Sequence, residues 1–349
     1  MIEINEARAM VSKIWPDWYL NELVGCGTYG SVFLAYSIST GILCAVKVIQ
    51  IPENRNILMQ MINDKGMQYT METCRSIKDK FTNEISTLVA LQGNENIVNV
   101  DAYSVFPTSD NIGWNIIIRM EYLNVLENTN YGFDENSTIR LGIDILNALE
   151  KCEGEHIIHR DIKPSNILVD QKGTYKLCDF GIAKNMSENS WGEMTSNIGT
   201  PLFMAPEVAL PNKKYDHRAD IYSLGLVLYK MANRGKPPFV DSDKQILGPN
   251  DNKESMTRRM AGEPLPRPAT ASDELSEIIL RACEFQPENR YNSASQMRRD
   301  LERLLYGEWQ EESIGYESLP QQHGDFSIIL AAAIAVGSVL LIAILLILL

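Results

Sequence analysis

Most of what this chain can fold into is constrained by one polar run, His159-Arg160-Asp161-Ile162-Lys163-Pro164-Ser165-Asn166. Ile157-Ile158 precede it and Ile167-Leu168-Val169 follow it. Apolar flanks belong inside a fold, so the charges between them must be brought to partners. Asp161 can accept a proton or orient a hydroxyl. Lys163 can steady a transferring phosphoryl group. Asn166 offers an amide oxygen, a hard ligand suited to Mg2+. A second polar island is Asp179, between Leu177-Cys178 and Phe180, where an unpaired carboxylate is costly unless a cation meets it. Asn166 and Asp179 can then share a metal.

Charge narrows the partners. The 349 residues hold 32 Lys+Arg against 45 Asp+Glu, a formal net charge of −13. That balance argues against nucleic-acid binding, which needs phosphate-neutralising cations, and against a polybasic membrane patch. A polyanionic ligand must be held by a few placed cations or by metal. Hydrophobic residues at 45% supply a core, and at ~150 residues per domain the length suggests about two folding units. The cysteines, Cys26, Cys44, Cys74, Cys152, Cys178 and Cys283, form no CxxC pair and read as small buried hydrophobes. Met1 to Glu6 has neither a basic nor an apolar region, so no secretory signal is expected.

From Phe326 to Leu349 no residue is charged. As a helix this run would reach about 36 Å, enough for a hydrocarbon core of ~30 Å. It is expected to cross a lipid bilayer, with the preceding domain on the cytoplasmic side. The stretch 307–325, with Glu308, Glu311, Glu312, Glu317 and Asp325, reads as a flexible, self-repelling acidic linker.

Strands are predicted over Leu20–Gly25 and Ser31–Ser37, which flank a Gly-rich turn, over the β-branched run Leu43–Ile51, and over Val98–Phe106 and Trp114–Leu123. Helical spacing marks Ile77–Leu91, Thr138–Leu149, Ile221–Met231, Glu274–Cys283 and Ala294–Leu305. Residues 52–72, polar and Met-rich, give no clear signal. Between the first two strands lies Gly25-Cys26-Gly27-Thr28-Tyr29-Gly30. Such spacing lets backbone N–H groups approach a phosphate, although it also suits an ordinary turn or a dinucleotide fingerprint. A strand after the glycines, rather than a helix, favours a flap between antiparallel strands. Lys47 sits among β-branched residues, either snorkelling from an edge or aimed at phosphate beneath the flap. Glu84 on the helix 77–91 is the candidate partner, and otherwise a solvated helix charge.

The glycine loop, Ala45-Val46-Lys47, His159-Arg160-Asp161 with Asn166, Asp179-Phe180-Gly181 and Ala205-Pro206-Glu207 occur in one order. In this the chain resembles the eukaryotic-type (Hanks-type) Ser/Thr protein kinases, over roughly residues 18–306. The resemblance implies an α+β, bilobal protein-kinase-like fold. Its small antiparallel β-rich N-lobe would span 18–123 and its larger helical C-lobe 124–306, before the linker 307–325 and a transmembrane helix at 326–349. It implies ATP and Mg2+ as cofactors and Ser/Thr proteins as substrates. Gly25, Gly27 and Gly30 would cover the phosphates, and Lys47, paired with Glu84, would contact them. Val32, Ala45 and Leu168 would sandwich adenine, with Met120 as gatekeeper and Glu121 to Leu123 as the hinge. Asp161 would be the catalytic base, helped by Lys163, and Asn166 and Asp179 would hold Mg2+. Lys163 and Gly199-Thr200-Pro201 follow the Ser/Thr-type pattern.

Further expectations follow from the same resemblance. Glu207 would pair with Arg290, and Asp220 would brace the catalytic-loop backbone. Arg160 would grip a phosphate on the activation segment 182–202, where Ser187, Ser190, Thr195 and Ser196 are acceptors for autophosphorylation in trans by self-associated copies. Lys47 and Glu84 are unusually far apart in sequence, which suggests an insertion or added helix at 52–75. Two alternatives remain: a pseudokinase membrane scaffold, against which Lys47, Asp161 and Asp179 all stand, and a soluble kinase with an apolar docking tail.

Overall fold

The structure, a computed structural model, describes residues 2–27, 30–126, 134–180, 202–210, 215–248 and 250–307. The acidic stretch from 308, the charge-free run 326–349 and the hydroxyls of Ser187, Ser190, Thr195 and Ser196 lie outside the described residues. Among the described residues no helix is long and apolar enough to cross a membrane.

An element not expected from the sequence comes first, helix α1 (Ile4–Ile14). Its Ile4, Ala7, Val11 and Ile14 recur at helical spacing, and Ala7 and Val11 are fully buried. Strands β1 (Trp18–Gly27), β2 (Gly30–Ser37), β3 (Leu43–Ile51), β4 (Val100–Pro107) and β5 (Trp114–Glu121) form an antiparallel sheet in the order β1-β2-β3-β5-β4. Side chains alternate across it. Cys44, Val46 and Val48 of β3 join Phe33, Ala35 and Ile117 beneath α1. Ile49 and Ile51 join the main core on the other face. Arg8 pins α1 to the sheet by donating to the carbonyls of Leu20 (2.8 Å) and Asn21 (2.9 Å), where β1 shifts register against β2.

The segment without a clear sequence signal is helical. Helix α2 (Arg55–Lys65) starts at Asn54, whose Oδ1 accepts from Ile57 N at 3.0 Å. Gly66, at φ 87°, ends it and begins α3 (Met67–Ala90), so the helix that carries Glu84 is 24 residues long. α2 docks on α3, with Leu58 as its buried residue. This is the added helix expected between Lys47 and Glu84.

The second lobe is built on helices α4 (Glu135–Gly154), α5 (Arg218–Met231), α6 (Asp251–Met260), α7 (Asp273–Ala282) and α8 (Ala294–Tyr306). A small sheet of β6 (Asn124–Val125), β7 (Ile167–Val169) and β8 (Tyr175–Leu177) carries the polar loops. α5 is buried along nearly its whole length. α4 receives the starts of later helices: Glu135 Oε2 accepts from Ser272 N (2.8 Å), Glu153 Oε1 accepts from Ala294 N (2.8 Å), and Glu150 pairs with Arg298 (2.6 Å). One apolar cluster runs from α3 and the large sheet into α4, α5 and α8. The β-rich and helical lobes therefore take the expected two-lobed form, with α1 and α6 as additions.

Candidate active site

The alternation that buries Ile49 also places Lys47 on the α3 side of β3. Its ammonium enters a cavity lined by Glu84 and Ile85 of α3, Met120 of β5, and Cys178 and Asp179. Lys47 Nζ lies 2.6 Å from Asp179 Oδ1. Burial alone would push the ammonium toward neutrality, but the Asp179 and Glu84 carboxylates override it and its pKa rises. Burial likewise pushes Asp179 up, the Lys47 charge overrides it, and the net shift is downward. Asp179 still keeps half of its side-chain surface open (51%), as suits a group on the floor of a cleft. It also holds φ 53°, a left-handed conformation that a non-glycine residue takes only when its surroundings impose it.

Glu84 lies in the same cavity and is only 9% exposed. Burial pushes its carboxyl up to about 7, against the pull of Lys47 and with the Asp179 charge adding to the rise. The expected Lys47–Glu84 ion pair is not the one formed: the lysine's ion pair is with Asp179. The two carboxylates compete for one ammonium, and the more exposed Asp179 stays ionised at lower cost.

The Asp161 loop is held from below by α5. Asp220 Oδ2 accepts from His159 N (2.7 Å) and Oδ1 from Arg160 N (2.9 Å), the expected brace. Burial pushes Asp220 up to about 6, against the pull of these two N–H groups. His159 ties the two polar islands together. Its Nδ1 accepts from Asp161 N (3.3 Å), which makes Nε2 the donor to Cys178 O (3.0 Å). Its ring packs on Phe180 at 4.5 Å between centroids. Asn166 Nδ2 donates to Asp161 O (2.8 Å) and Oδ2 (3.0 Å), while Cys178 N donates to Asn166 O (3.0 Å). Lys163 Nζ stands 3.0 Å from Asp161 Oδ2 and adds to the field that lowers Asp179. Lys47, Asp161, Lys163, Asn166 and Asp179 thus belong to one connected set. Burial raises the Cys178 thiol far above its ordinary range, so it is a packed hydrophobe rather than a nucleophile.

The donor set suits a hard divalent cation. With Nδ2 of Asn166 committed to Asp161, its Oδ1 is the remaining side-chain acceptor, and Asp179, next to the Cys178 whose N–H bonds Asn166 O, keeps half of its side-chain surface open. One amide oxygen and one carboxylate, completed by phosphate oxygens and water, are what Mg2+ takes. No group of three or more His, Cys, Asp or Glu side chains placed to hold a metal occurs among the described residues.

The other sequence candidates border this set. Gly25 pairs with Val32, Val32 with Lys47, and Ala45 with Met120 across the sheet. Gly27 and Gly30 are paired at the tip of β1 and β2, and a Cβ on Gly30 would meet Val48 O at 2.5 Å. Leu168 lies on β7, opposite Val125. Glu121 ends β5 with its carboxylate on Lys176 (2.9 Å) and Asn99 N (2.8 Å), so its side chain links the lobes just before Leu123. Glu207 and Arg290 form the expected buried, bidentate pair at 2.7 and 2.8 Å.

The protein kinase domain model covers residues 18–301. The chain belongs to the protein kinase family. A probable serine/threonine-protein kinase of Clostridium perfringens is 32% identical to it over 275 residues, 72% of this chain and 38% of that protein. The serine/threonine-protein kinase PknB of Mycolicibacterium smegmatis is 35% identical over 175 residues, 49% of this chain and 26% of PknB. The pakG kinase of Dictyostelium discoideum is 28% identical over 274 residues, 77% of this chain and 20% of pakG. The chain spans well under half the length of these curated relatives. In this kinase domain, α1 precedes the matched residues.

Two contributors escape sequence reasoning. Asp144 of α4 accepts from Tyr175 N at 2.8 Å, and burial pushes it up to about 6. Arg259 is 1% exposed on α6, a helix that no apolar spacing marks in the sequence.

Proposed function

We propose that this protein transfers the γ-phosphoryl group of ATP to Ser and Thr hydroxyls of proteins, and that it does so at a membrane. The observation that carries the reading is the Lys47–Asp179 pair facing the Asp161–Lys163–Asn166 cluster, the two joined through His159. Phosphoryl transfer asks for positioning and charge stabilisation rather than covalent help. Lys47 holds the α- and β-phosphates under the glycine strands. Val32, Ala45 and Leu168 face adenine, and the backbone from Glu121 to Leu123 meets its edge. Asp161 orients the acceptor hydroxyl and takes its proton. Lys163, beside Asp161, neutralises charge gathering on the transferred group. Asn166 Oδ1 and Asp179 would hold Mg2+, which supplies charge neutralisation across the phosphates. Few cations are needed, consistent with the net charge of −13.

The charge-free run 326–349 supports a single lipid-spanning anchor, with 307–325 as its tether and the kinase domain on the cytoplasmic side. Confinement to a membrane raises the effective concentration of neighbouring copies and favours phosphorylation in trans within 182–202. The deciding experiment is transfer of labelled phosphate from ATP by the wild-type chain and Asp161→Ala, with identification of the labelled amino acid. Phosphoserine or phosphothreonine made only by the wild type supports the reading. Equal transfer by Asp161→Ala refutes the role of Asp161. Phosphosite mapping after incubation with Mg·ATP tests the second part, and full activity with no phosphate on 182–202 refutes it.

A further inference from the structure

Arg259 is among the largest fully buried side chains of the protein. Buried arginines normally face a carboxylate, as Arg290 faces Glu207. Arg259 has none among the described residues. Its Nη1 donates to Tyr222 Oη (3.0 Å) and, at 3.5 Å, to Met204 O, while its Nη2 donates to Leu202 O. Its Nε has no hydrogen-bond partner among the described residues. A buried guanidinium held by carbonyls and a phenol is an expensive way to fill space, and a methionine would fill it at lower cost.

What it holds lies at a particular place. Residues 181–201 connect Phe180, packed on His159, to Leu202, and Leu202 and Met204 lead directly into Ala205-Pro206-Glu207. Tyr222 and Asp220 share the first turns of α5. Asp220 carries the backbone of the Asp161 loop, and Tyr222, through Arg259, carries the carbonyls of Leu202 and Met204. One rigid helix thus sets the height of the end of this segment relative to Asp161. On the kinase reading above, an acceptor protein that reaches Asp161 rests on the described end of that segment, residues 202–204.

We propose that Arg259 is a positioning residue for the acceptor protein, anchoring the 202–204 backbone to α5 so that an incoming Ser or Thr meets Asp161 at the right depth. This rests on the kinase reading above. Loss of the anchor weakens use of the protein acceptor and leaves use of ATP alone, because none of the residues assigned to the nucleotide is among the hydrogen-bond partners of Arg259.

The test uses the full chain, with dephosphorylated casein as acceptor, and compares Arg259→Met, Arg259→Lys and Tyr222→Phe with the wild type. For Arg259→Met, KM for casein is expected to rise about tenfold while KM for ATP stays within about twofold. Amide hydrogen exchange in 202–207 is expected to speed up about tenfold, with exchange in α5 unchanged. Arg259→Lys recovers part of the casein KM, and Tyr222→Phe moves it in the same direction by less. An unchanged casein KM, a parallel rise in both KM values, or unchanged exchange in 202–207 overturns the proposal. A wild-type chain that phosphorylates neither casein nor itself sinks the kinase reading instead, and the exchange comparison still decides the anchor.

Discussion

Glu84 and Asp179 flank one ammonium and shift in opposite directions, because burial prevails at Glu84 while at Asp179 the Lys47 charge and hydrogen bond override it. A carboxyl whose folded pKa is raised to about 7 stabilises the fold while protonated, and that contribution is lost as pH rises through about 7. Glu84→Gln removes the ionisation. Its melting temperature should match that of the wild type near pH 5 and exceed it by a few degrees near pH 8, measured by thermal unfolding at both pH values. A constant difference across that range would contradict the burial argument. At Asp161, replacement by Ala should lower kcat about 10²- to 10⁴-fold while nucleotide binding, followed by fluorescence of a labelled ATP analogue, is retained. Glu207→Gln strands the Arg290 charge in the core and should cost about 3–5 kcal/mol in denaturant unfolding. The residues of the cleft were legible because charged groups inside apolar runs are rare and demand partners. Arg259 was not, since one of three cations in a polar ten-residue helix looks the same in sequence whether solvent or protein covers it.

Elements were legible where residue type matched burial. β2 stands at Gly30–Ser37, one residue from its expected start, with burial alternating along it, and β3, buried on both faces, stands at Leu43–Ile51 as its β-branched run indicated. The break at Gly66 was hidden, because α2 and the start of α3 are largely exposed and show little apolar periodicity. α1 is short, yet it roofs Phe33, Val46, Val48 and Ile117. At about 1.5–3 kcal/mol for each large side chain returned to water, deleting residues 2–14 should destabilise the β-rich lobe substantially. Melting is expected to fall by about 5–10 °C with new binding of an apolar dye, and unchanged melting would show that α1 contributes no cover.

At the scale of the whole molecule, the membrane reading belongs to residues 326–349 alone. Alkaline carbonate should leave the full chain in the membrane fraction and release a chain truncated after Gly307, and equal release of both would refute the anchor. The folded domain itself has a long-range architecture. Glu135, Glu150 and Glu153 of α4 meet Ser272, Arg298 and Ala294, partners 137, 148 and 141 residues further along. During translation at about 5–20 residues per second, α4 therefore waits roughly 7–30 seconds for them. Throughout that interval α4 lacks α8, the helix it packs against most extensively. The nascent chain should therefore engage holdase chaperones until α8 has cleared the ribosome.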